Sequence, residues 1–297
     1  MSIYNRVSEN KYKTVAIMVF FTLFVATVAF LLGKSLGYGN GFVGIALIIS
    51  GVSSFASFYF SDKIVLSLSG AKEADRTRDF DLYTVAENMA IAAGLPKPKV
   101  YIIEDSALNA FATGRDPEHA VVCATRGLVQ KLNRRELEGV VAHEMSHIGN
   151  FDIRLMAVVS VLVGMVALIA DWFTRQLWWK GRRDDDRNRI SAALFLISLV
   201  LAAVSPLIAT LIQLAISRRR EFLADASGAL LTRNPDALAS ALEKISADKE
   251  VLETATNATA HLFIENPFKE KKFSAWYSNL FNTHPPVEER IRILRQM

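Results

Sequence analysis

Hydrophobic residues along the chain gather into four blocks separated by segments of ordinary soluble character. Residues 14–32 and 35–61 hold no Asp, Glu, Lys or Arg, and each reaches the roughly 20 residues that a helix needs to cross the hydrocarbon of a bilayer. Residues 155–170 form a slightly shorter uncharged block, and residues 190–217 a longer one interrupted by Pro206. Between and after the blocks the pattern changes. "DFDLYTVAENMAIAAGLPKP" predicts a helix ending at Gly94, which Pro96 keeps from continuing. "KVYIIE" predicts a strand, and "SALNAFATG" with "AVVCAT" predicts a hairpin across the turn cluster of Gly114, Asp116 and Pro117. Asn133 and Glu136 have capping-box spacing and open a helix whose apolar positions Leu137, Val140, Val141, Met145 and Ile148 recur at helical intervals. Residues 218–232, "NPDALASALEKIS" and "PPVEERIRILRQM" predict three more helices.

The implied fold class is an α-helical integral membrane protein with an α+β domain. It has four transmembrane helices and a small β-sheet whose edge strand lies beside the helix carrying "HEMSH". The expected segments are an N-terminal transmembrane hairpin (1–61), a cytoplasmic part with the sheet and that helix (62–154), a second transmembrane hairpin (155–217) and a second cytoplasmic part (218–297).

Composition supports this division: 51% of residues are hydrophobic, concentrated in the blocks. Arg6, Lys11 and Lys13 precede the first span and Lys63, Lys72, Arg76 and Arg78 follow the second, against Lys34 in the turn between, so the N-terminus and the region after residue 61 face the cytoplasm. The sequence pI of about 9.1 reflects these flanks. No basic face interleaved with aromatics indicates nucleic acid. Cys123 is the only cysteine, which excludes an intrachain disulfide and fits a reducing compartment. One segment disagrees: Arg175, Lys180, Arg182, Arg183, Arg187 and Arg189 lie in a loop that would be outside if the third and fourth blocks both cross. Two crossings, or a hairpin that does not fully cross, both keep the flanking segments in one compartment.

His143 and His147 are four residues apart and so share a helix face, where two imidazoles can hold one metal ion with Glu144 directed at a water on it. The bland alternative is an amphipathic helix that happens to hold two histidines and a glutamate. Gly139, one turn earlier on the same stripe, would let another backbone approach the metal face closely. "EFLAD" adds Glu221, a candidate third ligand, and Asp225 one helical turn on.

"HEMSH", two apolar helices and then "EFLAD" resembles the HtpX heat-shock family of membrane-bound zinc metalloproteases, relatives of the CAAX prenyl proteases. The resemblance extends to the two N-terminal spans, "LNAFATG" before the histidine helix, "HIGNFD" after it and "THPPVEERI" near the C-terminus. It implies a zincin-like metalloprotease domain and one zinc ion per chain. His143, His147 and Glu221 would be its ligands, Glu144 the general base, and Asp225 a carboxylate orienting a ligand histidine. It further implies that Asn109 sits beside an edge strand receiving substrate backbone along Ala110 and Ala112, and that His284 steadies the scissile carbonyl or its oxyanion. The activity implied is zinc-dependent endopeptidase action on unfolded or membrane-protein substrates in stress response and quality control. Its setting would be the bilayer of a bacterial inner membrane, with the site facing the cytoplasm.

Two other classes compete. A transporter or zinc-stabilised scaffold would need polar groups within the spans or no use for Glu144, and Gln213 is the only amide side chain of the fourth block. An intramembrane protease fits poorly with Arg134, Arg135, Glu136 and Glu138 at the start of the histidine helix. His119 and His261 read as turn or surface residues, Cys123 as a small strand residue, Arg218, Arg219 and Arg220 as an interfacial anchor, and Arg290 as a family arginine or a surface helix position. Oligomeric state, substrate identity and regulation leave no mark in the sequence.

Overall fold

The computed structural model describes residues 3–36, 41–165, 218–256, 258–268 and 285–297. Two long helices, α1 (Ile3–Leu36) and α2 (Gly41–Leu68), carry the first two apolar blocks and pack together, with Thr22 Oγ1 3.2 Å from Ser54 Oγ. Their outward side is apolar: Val15, Val19, Phe20, Ile48, Val52 and Phe55 are exposed. Among the described residues no single helix is long and apolar enough to cross a membrane. Several side chains of α1 and α2 lie outside the described set.

A four-stranded sheet follows, in the order β1 (Lys72–Glu73), β2 (Lys99–Ile103), β4 (Val121–Thr125), β3 (Ala110–Thr113). The predicted hairpin is present, β3 running antiparallel to β4 with Ala110 opposite Ala124 and Ala112 opposite Val122. Neither the parallel pairing of β2 with β4 nor the two-residue β1 has a sequence signal, since both arise from long-range placement. Because side chains alternate along a strand, Ala110, Ala112, Val122 and Ala124 enter one apolar cluster while Phe111, Val121 and Cys123 enter another. Both faces of this hairpin are therefore covered, and β4 reads as a continuous apolar run.

The helices α3 (Phe80–Ala93), α4 (Arg126–Lys131), α5 (Arg134–Gly149), α6 (Asp152–Met165), α7 (Arg218–Thr232), α8 (Pro235–Ala247) and α9 (Val287–Leu294) complete the described fold. At the start of α5 the Asn133 side chain accepts from the Glu136 N–H at 3.0 Å, and Glu136 accepts from the Asn133 N–H at 2.8 Å. This is the predicted capping box, which satisfies two otherwise orphaned donors. α5 is central, packed between α3, α7 and α8. Two glycines set those distances. A Cβ on Gly139 would lie 2.9 Å from Leu238 Cα, and one on Gly228 would lie 3.0 Å from the backbone nitrogen of His143. α8 thus approaches Gly139 closely, while the close backbone approach at His143 itself is made by α7 at Gly228. α5 meets α6 at a bend of 85°, turned by Phe151 with a left-handed φ of 60°.

Candidate metal centre

Helices α5 and α7 bring His143, His147 and Glu221 together, all three buried, with candidate ligand atoms within 4.8 Å of one another. The two Nε2 atoms are 3.2 Å apart. Glu221 faces both, its Oε2 3.8 Å from His143 Nε2 and its Oε1 3.5 Å from His147 Nε2. Gly228, two turns beyond Glu221 on the same face of α7, admits the His143 backbone and so holds this carboxylate over the histidine pair. Two imidazoles and a carboxylate, leaving a fourth position open, form the donor set of a hydrolytic zinc site. On that chemistry the residues fit the ion.

The far side of each imidazole meets a carboxylate. His147 Nδ1 lies 3.0 Å from Asp152 Oδ2, and His143 Nδ1 lies 2.9 Å from Asp225 Oδ1, the latter an ion-pair contact without hydrogen-bond alignment. Protons held at Nδ1 leave the Nε2 lone pairs for a metal. Burial opposes a charge on His147, but the hydrogen bond to Asp152 and the charges of Glu221, Asp152 and Glu144 prevail and raise its pKa to about 9. Asp225 behaves oppositely: burial would raise it, yet the Arg290 guanidinium beside it holds its carboxyl at about 2.

Glu144 points from α5 toward the sheet. Burial pushes its carboxyl above the ordinary range, although the histidine charges and a hydrogen bond from the Ala112 N–H work the other way. Ala112 belongs to β3, the last strand of the sheet, and the base candidate is therefore tied to the strand expected to receive substrate.

That strand is already engaged by the chain itself. The Ala110 carbonyl accepts from the Ile264 N–H at 3.0 Å, and Asn109 Nδ2 donates to the Glu265 carbonyl at 2.9 Å. Phe263 packs edge-on against Phe111, ring centroids 5.1 Å apart. Asn109, Ala110 and Ala112 are all buried.

His284 lies outside the described residues, as do residues 166–217, which hold the end of the third block and all of the fourth. His119 is a turn residue paired with Asp116, as expected, but His261 is buried, its Nε2 3.2 Å from Ser160 Oγ and 3.3 Å from the Met156 carbonyl. A histidine can be buried in an apolar cluster when such partners meet its ring, and these come from about 100 residues away. Arg290 is buried rather than on a helix surface, because Asp225 pairs with it. Arg220 is no simple anchor: its Nη1 lies 3.2 Å from Asn10 Oδ1 and 3.4 Å from Asp152 Oδ1. Sequence reasoning gives no role to Asp152, Asn10 or Gly228. Of these, Asp152 alone has a usable signal, its place five residues after His147 at the end of "HIGNFD".

Comparison with known proteins agrees with this geometry. Residues 76–297 match the model of peptidase family M48. The chain is 43% identical to a protein named "Protease HtpX homolog" from Caldanaerobacter subterraneus subsp. tengcongensis, over 100% of this chain and 98% of the relative. It is 44% identical to one of the same name from Tropheryma whipplei (strain Twist), over 99% and 98% of the two chains. Among solved structures, that of S. mikatae Ste24p superposes with a TM-score of 0.52 at 17% identity, covering 98% of this chain and 67% of the other, a likeness of fold. With a paired-histidine helix, a carboxylate from a second helix and full-length relatives of this kind, the chain belongs to peptidase family M48, among its HtpX-type membrane metalloproteases.

Proposed function

We propose that the protein is a zinc-dependent endopeptidase working at the cytoplasmic face of a bacterial inner membrane, where it cuts unfolded or damaged segments of membrane proteins for quality control under stress. The observation that carries this reading is the placement of Glu144 between the His143, His147 and Glu221 donors and β3. Bound by those three residues, zinc supplies Lewis-acid polarisation of a carbonyl and acidification of a water molecule. Glu144, with its raised pKa, takes the proton of the attacking water and passes it to the leaving amine. Asp152 keeps a proton on the outer nitrogen of His147, Asp225 lies against the outer nitrogen of His143, and Arg290 keeps Asp225 ionised. Substrate backbone adds along β3 at Asn109, Ala110 and Ala112, and His284 steadies the oxyanion. Because Ile264 holds Ala110 in this structure, full strand addition requires that segment to move aside.

Membrane placement rests on the uncharged blocks, which α1 and α2 carry. By length alone the 28 residues of α2, about 42 Å, exceed the roughly 30 Å of hydrocarbon. The apolar character is read from the uncharged blocks of the full sequence rather than from the described residues, among which no single helix is both long and apolar enough to cross. The outward side of the pair exposes Val15, Val19, Phe20, Ile48, Val52 and Phe55, the kind of surface that lipid would cover. The third and fourth blocks complete four transmembrane helices in this reading. The deciding experiment is a detergent-solubilised assay on an unfolded protein, with chelation and zinc restoration. Activity lost on chelation and regained with zinc supports the reading. Zinc retained with no hydrolysis of any unfolded substrate would favour a metal-stabilised scaffold instead.

A further inference from the structure

The N-terminal helix reaches the metal centre. Asn10 of α1 is buried, and its Nδ2 donates to Asp152 Oδ1 at 2.8 Å and to the Asn150 carbonyl at 2.9 Å. Asp152 presents its other oxygen, Oδ2, to His147 Nδ1 at 3.0 Å. Arg220 closes the cluster from α7, touching both Asn10 Oδ1 and Asp152 Oδ1. One carboxylate thus has one oxygen fixed by α1 and α7 and the other fixed on a histidine of the donor set.

The same helix grips the corner that delivers Asp152. Phe151 turns the chain from α5 into α6 with a φ of 60°, a conformation uncommon for a residue with a side chain. Lys11 stands over its ring at 4.7 Å and Arg154 at 5.1 Å. Asn10 holds the preceding carbonyl. The contacts from α1 span about 140 positions of sequence and have no use in packing α1 against α2.

We propose that Asn10 is a positioning residue for metal binding: by fixing Asp152 it fixes the tautomer and orientation of His147, so that the first helix completes the metal centre. This rests on the reading of His143, His147 and Glu221 as metal ligands. Without Asn10 the Oδ1 of Asp152 is left with the longer Arg220 contact at 3.4 Å, so the carboxylate rotates more freely about its Cβ–Cγ bond and its hold on the imidazole weakens. Partners of this kind typically contribute 10–100-fold in metal affinity.

The test measures zinc affinity of the full chain in detergent by competition with a chelator, and the visible spectrum of the cobalt-loaded protein. Asn10→Leu keeps volume and removes the donor; Asn10→Ser, too short to reach Asp152, serves if Asn10→Leu does not accumulate. Each should weaken zinc about tenfold and alter the cobalt spectrum. Asp152→Asn should weaken it about 10–100-fold, and the double variant no more than Asp152→Asn alone, because Asn10 acts through Asp152. Lys13→Ala, half-buried on the same helix where it pairs with Glu9, should bind like wild type. Affinity unchanged in the Asn10 variants, or losses that add in the double variant, overturns the proposal while leaving the ligand assignment intact. A wild-type chain that binds no zinc overturns both.

Discussion

Arg290 grips Asp225 through two hydrogen bonds, Nε to Oδ2 at 2.8 Å and Nη2 to Oδ1 at 2.7 Å, with both residues buried. The same guanidinium donates to the Ile264 carbonyl at 3.1 Å and lies 3.9 Å from Glu221 Oε2. One cation from α9 therefore balances two carboxylates behind the metal centre and ties down the segment lying along β3. Arg290→Met should destabilise the fold by about 3–5 kcal/mol, because it leaves a buried carboxylate unpaired. Denaturant unfolding of the metal-free protein reads this directly, and a loss below about 1 kcal/mol would show that the pair contributes little.

The Asp225 shift fixes a sign for acid stability. Its folded pKa, about 2, lies below the unfolded carboxylate value, so its contribution is present above roughly pH 4 and is lost as pH falls toward 2. Stability of the metal-free wild type should fall over that window more steeply than in a variant carrying both Asp225→Asn and Arg290→Met. Parallel acid profiles for the two proteins would remove this pair as the cause.

His147 makes the opposite prediction at high pH. Its folded pKa is raised to about 9, so in the metal-free protein its stabilisation is full below the unfolded value near 6.5 and disappears as pH rises through 9. Metal must displace that proton. Apparent zinc affinity should climb about tenfold per pH unit between 7 and 9 from this group alone, then level off. Chelator competition across pH checks it, and a flat profile in that range would mean that His147 is neutral before metal arrives.

Local elements are legible in the sequence because their signals are local. Asn133 and Glu136 are three residues apart, and their capping box forms as that spacing predicts. The spacing of His143 and His147 on one helix and the carboxylates of "EFLAD" likewise mark candidate ligands, which the fold brings together, while their assignment as one set comes from the family resemblance. What is not legible depends on partners far away in the chain. Asn10 meets Asp152 across 142 positions, Arg290 meets Asp225 across 65, and Asn109 meets Glu265 across 156. Periodicity marks which face of a helix is buried, not what polar group waits there. For that reason the sequence leaves Arg290 open between a family arginine and a surface helix position and reads His261 as a turn or surface residue, whereas buried partners hold both in the fold.

The base assignment predicts a separation of binding from turnover. Glu144→Gln keeps size and leaves the three donors in place, so zinc content should stay at the wild-type level while kcat falls by about 10²–10⁴. The amide also keeps an oxygen for the Ala112 N–H, which limits structural change. Retained proteolysis in a zinc-loaded variant would sink the assignment.

The pairing of Ile264 with β3 predicts a gain. Ile264→Pro removes the N–H that the Ala110 carbonyl accepts and should loosen the segment. KM for an unfolded protein should fall a few-fold with kcat little changed, whereas Ala112→Pro, which removes the N–H whose hydrogen bond Glu144 accepts, should lower kcat as well as raise KM. If Ile264→Pro raises KM as well, residues 263–265 help to hold substrate rather than stand in its place.

Topology is the point on which sequence signals oppose each other. In the proposed reading the basic flanks of α1 and α2 assign His143 to the cytoplasm, and a ligand role for Glu221 would require it to share that compartment, so that the chain between them would cross an even number of times. The basic residues between Arg175 and Arg189 favour no crossing, whereas the length of the fourth block and the cost of irregular backbone in lipid favour two. With two crossings, a cysteine introduced as Asn188→Cys should react with an impermeant thiol reagent added outside cells whose outer barrier has been opened. The background is quiet, because Cys123 is fully buried and its thiol pKa is pushed up by that burial; Cys123→Ser removes what remains. Labelling only after lysis of the inner membrane would place the loop in the cytoplasm and replace the second hairpin with a re-entrant one.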